Sequence, residues 1–245
     1  MKMAIDTSPA AVLPVLTPDG EALRRRWLTS RPQVLVIHHE ADAPSAHLLD
    51  LLREQNLEPK LTARAGRNEL PDPEAVKLAI LLGSERFQEA VEGGSLEREL
   101  DWLRAAEDSG TRIIGIGHGA RILALALGGD VTPADVPYRG WMMVSSSVPH
   151  VIPSGPWLAW QHDIIRVPPS AEVLAENRLG PQAFRIGRHL GVQFHPEATP
   201  QAIGELIRDS DSTGITDTVL EAMRPDPAAA RVRTSRLFAS FVAVA

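Results

Sequence analysis

Cysteine is missing from all 245 residues of the chain. Its absence excludes a disulfide framework, a thiolate zinc site and a cysteine nucleophile. No apolar run approaches the roughly 20 residues that a membrane span needs. The start, Met1-Lys2-Met3-Ala4-Ile5-Asp6, meets an acid at once and lacks the apolar core of a signal peptide. Excess positive charge is lacking too: the formal net charge is -6 and the sequence pI about 5.8, which excludes duplex nucleic acid as an expected partner. Cytoplasm is the expected compartment. What is present is ordinary, with 44% hydrophobic and 23% charged residues and a mean hydropathy of -0.08. Such a chain can bury a sizeable globular core.

Residues 1–32 show no clear strand pattern and are broken by Pro9, Pro14 and Pro18, so they read as an N-terminal extension. The main domain is expected over 33–245, including C-terminal helices. Val34-Leu35-Val36-Ile37 is a short, continuous, β-branched-rich run, as a strand buried on both faces requires. Ala46 to Asn56 has leucines at helical spacing behind Ser45. The alternation repeats with a strand over Val76–Leu82, a helix over Leu96–Ser109, a strand over Arg112–Ile116 and a helix over Ala120–Leu127. Strand and helix in turn predict a mixed, mainly parallel sheet flanked by helices, an α/β fold with right-handed crossovers. Beyond Gly129, five short candidate strands between Pro- and Gly-containing turns (141–145, 158–160, 173–175, 183–186, 190–194) predict a small antiparallel side sheet. It would return to the main sheet at Gly191-Val192-Gln193-Phe194. A closing helix is expected over Arg233–Val244.

Two segments could carry chemistry. In Gly115-Ile116-Gly117-His118-Gly119, a buried strand runs through Gly-x-x-x-Gly straight into a helix. That is the layout of a nucleophile elbow, in which a strained residue stands at the sheet's carboxyl edge beside helix N–H groups. Residue 117 holds the nucleophile's position, and glycine has no side chain to attack with. The competing reading is a glycine-rich turn that lets strand and helix pack closely, and the segment alone leaves both open. In Gly191-Val192-Gln193-Phe194-His195-Pro196-Glu197, a histidine at a strand's carboxyl end has a carboxylate two residues on. Glu197 could accept the imidazole N–H, fix its tautomer and stabilise the charged ring.

Taken together, these segments resemble the class I glutamine amidotransferase domain, most closely the stand-alone group similar to the glutaminase half of GMP synthase. The resemblance covers roughly residues 33–200. It includes Leu81-Leu82-Gly83-Ser84, similar to the family's oxyanion-strand loop, and Arg139-Gly140-Trp141, similar to its Glu-Ile-Gly-Trp. Trp160-Gln161-His162-Asp163 looks like its Trp-His-Gly-Asp, and Gly191 to Glu197 is the strongest match. The resemblance implies a three-layer, flavodoxin-like α/β fold. It also implies a Cys-His-Glu triad that attacks the side-chain amide of glutamine, with ammonia handed to a synthetase partner and no cofactor needed.

His195 and Glu197 fit two triad positions, but Gly117 stands at the third, and Arg121 replaces a glutamine that usually follows the elbow. Loss of a triad member costs several orders of magnitude in rate, so the expectation is a chain without ordinary glutaminase activity. It would bind a small amide or amino acid, or dock on a synthetase-like protein. The alternatives are a hydrolase in which His195 and Glu197 activate water, and a purely structural module. Gly83, Ser84, His118, Arg121 and His162 are the candidate oxyanion and pocket residues. His118 could act as a displaced base, and Arg121 could neutralise an anion or be salt-bridged. A metal site from His118, His162, His195 and Glu197 matches no ligand spacing, so no metal is expected. His38-His39-Glu40 reads as surface loop. Trp141, Trp157 and Trp160 read as packing of the side sheet, where one of them could line the pocket.

Overall fold

The computed structural model describes residues 33–38, 46–63, 70–82, 95–198 and 226–243. The expected extension over 1–32, His39, Glu40, Gly83, Ser84 and the stretch 199–225 lie outside the described residues. In chain order the elements are β1 (Gln33–His38), α1 (Ala46–Glu54), β2 (Glu58–Ala63), β3 (Leu78–Leu81), α2 (Ser95–Asp108), β4 (Arg112–Ile116) and α3 (His118–Ala126). They continue with β5 (Asp130–Ser146), β6 (Gly155–Arg166), β7 (Glu172–Asn177), β8 (Gly180–Ile186), β9 (His189–Val192) and α4 (Pro227–Ala243).

The nine strands form one sheet in the order β2-β1-β3-β4-β9-β8-β7-β5-β6. The half from β2 to β9 is parallel, and the half from β9 to β6 antiparallel. The fold is thus a mixed α/β sheet flanked by helices. One face packs on α1 and α4 through Leu48, Leu51, Leu237, Phe238 and Phe241. The other packs on α2 and α3 through Leu100, Leu103, Ile122 and Leu123. Apolar residues on both sides of the parallel strands explain why β1, β3 and β4 are continuous runs rather than alternating ones.

Three differences from the sequence reading have physical causes. The strand β2 lies outside the predicted pattern, because Glu58-Pro59-Lys60-Leu61-Thr62-Ala63 mixes polar residues with a proline; it is an edge strand, where both are tolerated. The short strands expected just after Gly129 belong to a long hairpin, β5 with β6. Its register shifts between Pro133 and Tyr138, so prolines that read as turns lie at a bulge instead. The closing helix starts earlier than expected, at Pro227, the residue favoured at a helix's first position.

Close approach of β4, α3 and β3 positions the site. A Cβ on Gly119 would lie 2.2 Å from the Leu81 carbonyl oxygen, and one on Gly115 2.5 Å from the Gly119 carbonyl oxygen. Only hydrogen fits at either place. The helix α3 is buried on nearly all its positions, as expected for a helix wedged between layers.

Candidate active site

The strand β4 ends at Ile116 and α3 begins at His118, leaving Gly117 alone to make the turn. Its dihedrals, φ 58° and ψ -113°, are ones that a residue with a side chain adopts only under strain. The Gly117 N–H donates to the Val192 carbonyl at 2.8 Å, tying the elbow to the end of β9. The Ala120 and Arg121 N–H groups turn back to the Gly117 carbonyl, at 3.1 and 3.4 Å, so the helix is wound directly onto the turn residue.

Three residues past β9 stands His195. Its Nδ1 lies 2.8 Å from Glu197 Oε1, and both side chains are mostly buried, at 17% and 14% exposure. An ionised carboxylate can only accept, so this bond places a proton on Nδ1, and in the neutral ring Nε2 is then an acceptor. Nε2 is buried and has no partner among the described residues. The ring lies against Gly117: a Cβ on residue 117 would sit 2.5 Å from Cε1 and 2.9 Å from Nε2 of His195. The structure therefore brings Gly117, His195 and Glu197 together, with the ring occupying the space where a side chain of residue 117 would begin.

The His195 segment is held from a direction that no local sequence pattern indicates. Its backbone N–H donates to the Leu158 carbonyl of β6 at 2.8 Å. Since β6 is the far edge of the sheet, the antiparallel half curls back over the end of β9. Behind it, the Phe194 ring stacks on Trp157 at 4.6 Å, and Trp157 belongs to the main core.

Arg121 lies one turn into α3 and is buried. Its Nη1 meets Asp163 Oδ2 of β6 at 2.5 Å, with side-chain exposures of 8% and 16%. Burial pushes the guanidinium below its ordinary range, and the Asp163 carboxylate opposes that shift. Of the two uses open to Arg121, the structure shows the salt bridge. Asp163 stands out in the sequence only as the end of the Trp160-Gln161-His162-Asp163 segment; a cation at 121 and an acid at 163 have no sequence pattern linking them.

His118 is buried in the first turn of α3. His162 is half-buried on β6, and strand alternation turns it away from the face carrying Asp163. His38 ends β1 at the same sheet edge. Among the described residues, no three His, Asp or Glu side chains stand together as metal ligands. No helix among them is long and apolar enough to cross a membrane. Of the tryptophans, Trp141 packs with Leu158 and Ala198, and Trp160 is buried in β6.

Comparison with known proteins bears on the family and the fold. Over 107 residues the chain is 36% identical to a glutamine-hydrolyzing GMP synthase from Thermomicrobium roseum, covering 41% of this chain and 20% of that one. Over 121 residues it is 30% identical to one subunit of a glutamine-hydrolyzing GMP synthase from Ignicoccus hospitalis, covering 46% of this chain and 61% of that one. The chain thus spans less than two thirds of either relative. Among solved structures, a glutamine amidotransferase from Thermotoga maritima superposes with a TM-score of 0.70 at 20% identity, covering 86% of this chain and 98% of that one. Residues 83–210, just over half of the chain, match the family described as glutamine amidotransferase class-I, and the chain belongs to that family.

Proposed function

We propose that this chain is a class I glutamine amidotransferase homologue without ordinary glutaminase activity, and that it works by binding a small ligand or by docking on a partner. One observation carries the reading. Gly117 adopts the strained elbow conformation, has no side chain, and faces the His195 ring where a nucleophile would begin. Gly117 is then the degenerate nucleophile position, with His195 and Glu197 the two retained triad members. The ligand expected of such a pocket is glutamine or a related amide or amino acid. The expected partner is a synthetase, since one relative is named as a subunit of GMP synthase. The main domain is taken to run from residue 33 to 245, with residues 1–32 as an extension and Gly83 and Ser84 as part of the oxyanion loop.

The test is ammonia release from glutamine by the purified chain. No release above background is expected, while thermal shifts against an amide and amino-acid panel reveal binding. Turnover at an ordinary enzymic rate would overturn the reading.

A second reading is favoured by the unpartnered Nε2 of His195. With Glu197 holding the Nδ1 proton, Nε2 can take a proton from water as the oxygen attacks a bound carbonyl, and return it to the leaving group. Hydrolysis of an amide or ester that is lost in His195→Ala and falls sharply in Glu197→Gln would support it.

A further inference from the structure

We infer that the Arg121–Asp163 ion pair is a positioning latch that holds His195 over Gly117. The inference rests on the reading that His195 and Gly117 form the site.

The key element is β6. In the sheet order, β6 is separated from β9 by β8, β7 and β5. Ladder hydrogen bonds therefore do not set the distance between β6 and the end of β9 directly. Yet β6 carries the Leu158 carbonyl that accepts the His195 N–H at 2.8 Å. It also carries the Asp163 carbonyl that accepts from the Gln193 side-chain amide at 3.4 Å. Both contacts hold the short segment that bears His195. The carboxylate of that same Asp163 grips Arg121 on α3, the helix capped by Gly117. Arg121 is itself tied to the elbow, its backbone N–H reaching the Gly117 carbonyl at 3.4 Å.

The ion pair thus closes a loop of contacts: elbow to α3, α3 to β6, β6 to the His195 segment. A buried charge pair is well suited to this task. Each ion is costly to leave without the other, so other spacings of α3 and β6 are penalised, while the pair adds little to stability overall. Arg121 and Asp163 act here through His195 and touch no reacting atom. They are positioning residues.

The decisive readout is the nuclear Overhauser effect between Gly117 Hα and His195 Hε1, because the Gly117 Hα lies along the direction that leads to the ring's Cε1. In the full-length wild-type chain this effect is expected to be strong. In Arg121→Met/Asp163→Asn, which removes both charges and keeps the volume, the fold is expected to persist by circular dichroism. The effect should fall several-fold, with broadening of the His195 ring signals. Retention at full strength in the folded double variant would overturn the latch and leave the pair as charge neutralisation alone; so would its absence from the wild type. Asp163→Glu, which keeps the charge but moves it by one carbon–carbon bond, decides the same question if the double variant does not fold. It should weaken the effect, and full retention there overturns the latch too. Ammonia release from glutamine bears on the proposed function and not on this measurement, so either can fail alone.

Discussion

The substitution Gly117→Cys tests the geometry most directly. Its Cβ would stand 2.5 Å from Cε1 and 2.9 Å from Nε2 of His195, whereas carbon atoms rest at about 3.5–4.0 Å. The imidazole must therefore retreat by about 1 Å, which a side chain can do by turning about its own bonds. The backbone cost is harder to escape, because φ 58° and ψ -113° are strained for any residue with a Cβ. That strain is roughly 1–3 kcal/mol. At this chain length each kcal/mol lowers Tm by about 2–4 °C, so a fall of roughly 2–12 °C is expected. The thiol would then lie beside Nε2, and proton transfer to the imidazole would drop its pKa from about 8.5 into the range of roughly 3.5–7.5. The chain has no other cysteine, so the rate of iodoacetamide alkylation against pH reports residue 117 alone. A midpoint near the free-thiol value of about 8.5 would mean that His195 does not stand over residue 117, and the reasoning would fail.

Arg121→Gln leaves the Asp163 carboxylate mostly buried without its cation and should cost about 3 kcal/mol, with Asp163→Asn restoring most of it; a urea midpoint unchanged by the single substitution refutes this. His189 is fully buried, accepts the Ile113 N–H on Nδ1 and meets Glu107 through Nε2. Burial lowers its folded pKa despite the Glu107 carboxylate. The unfolded chain thus binds more protons below the ordinary value of about 6.5. The His189 contribution is complete above that pH and is lost as pH falls from there through the folded pKa. His189→Gln should flatten the fall in stability below about pH 6.5, and an unchanged slope counts against the buried neutral tautomer. Gly119→Ala places a methyl 2.2 Å from a backbone oxygen and is expected to yield no folded protein; a Tm within a few degrees of wild type would refute the packing.

The parallel half of the sheet is legible in the sequence because buried strands have a signature. Val34 to Ile37 and Ile113 to Ile116 are short uncharged runs rich in β-branched residues, and they lie in β1 and β4. The edge strand β2 lacks that signature because its face is shared with solvent. The hairpin of β5 and β6 reads as fragments, since a bulge at Pro133 to Tyr138 looks locally like a turn. At the site, His195 and Glu197 are legible because they are two residues apart and their pairing is local. Asp163 and the Leu158 carbonyl are not. Their roles depend on β6 curling over β9, a long-range outcome that no local pattern encodes.

Close packing and chemistry need not compete as explanations of the elbow, because its three glycines answer to different constraints. At Gly115 and Gly119 an added Cβ meets backbone atoms, which cannot move aside without opening the sheet. Those two positions are fixed by packing whatever the site does. At Gly117 the three atoms nearest an added Cβ all belong to the far end of a side chain, the His195 ring. Packing therefore does not demand glycine there. The strained φ favours glycine, yet a strained residue at a strand-to-helix turn is what an elbow imposes on its nucleophile and the surrounding fold sustains. A fold that required glycine at 117 would make the absence of a side chain there a by-product of architecture. Because this fold requires glycine only on either side, the identity of residue 117 is free to be set by function.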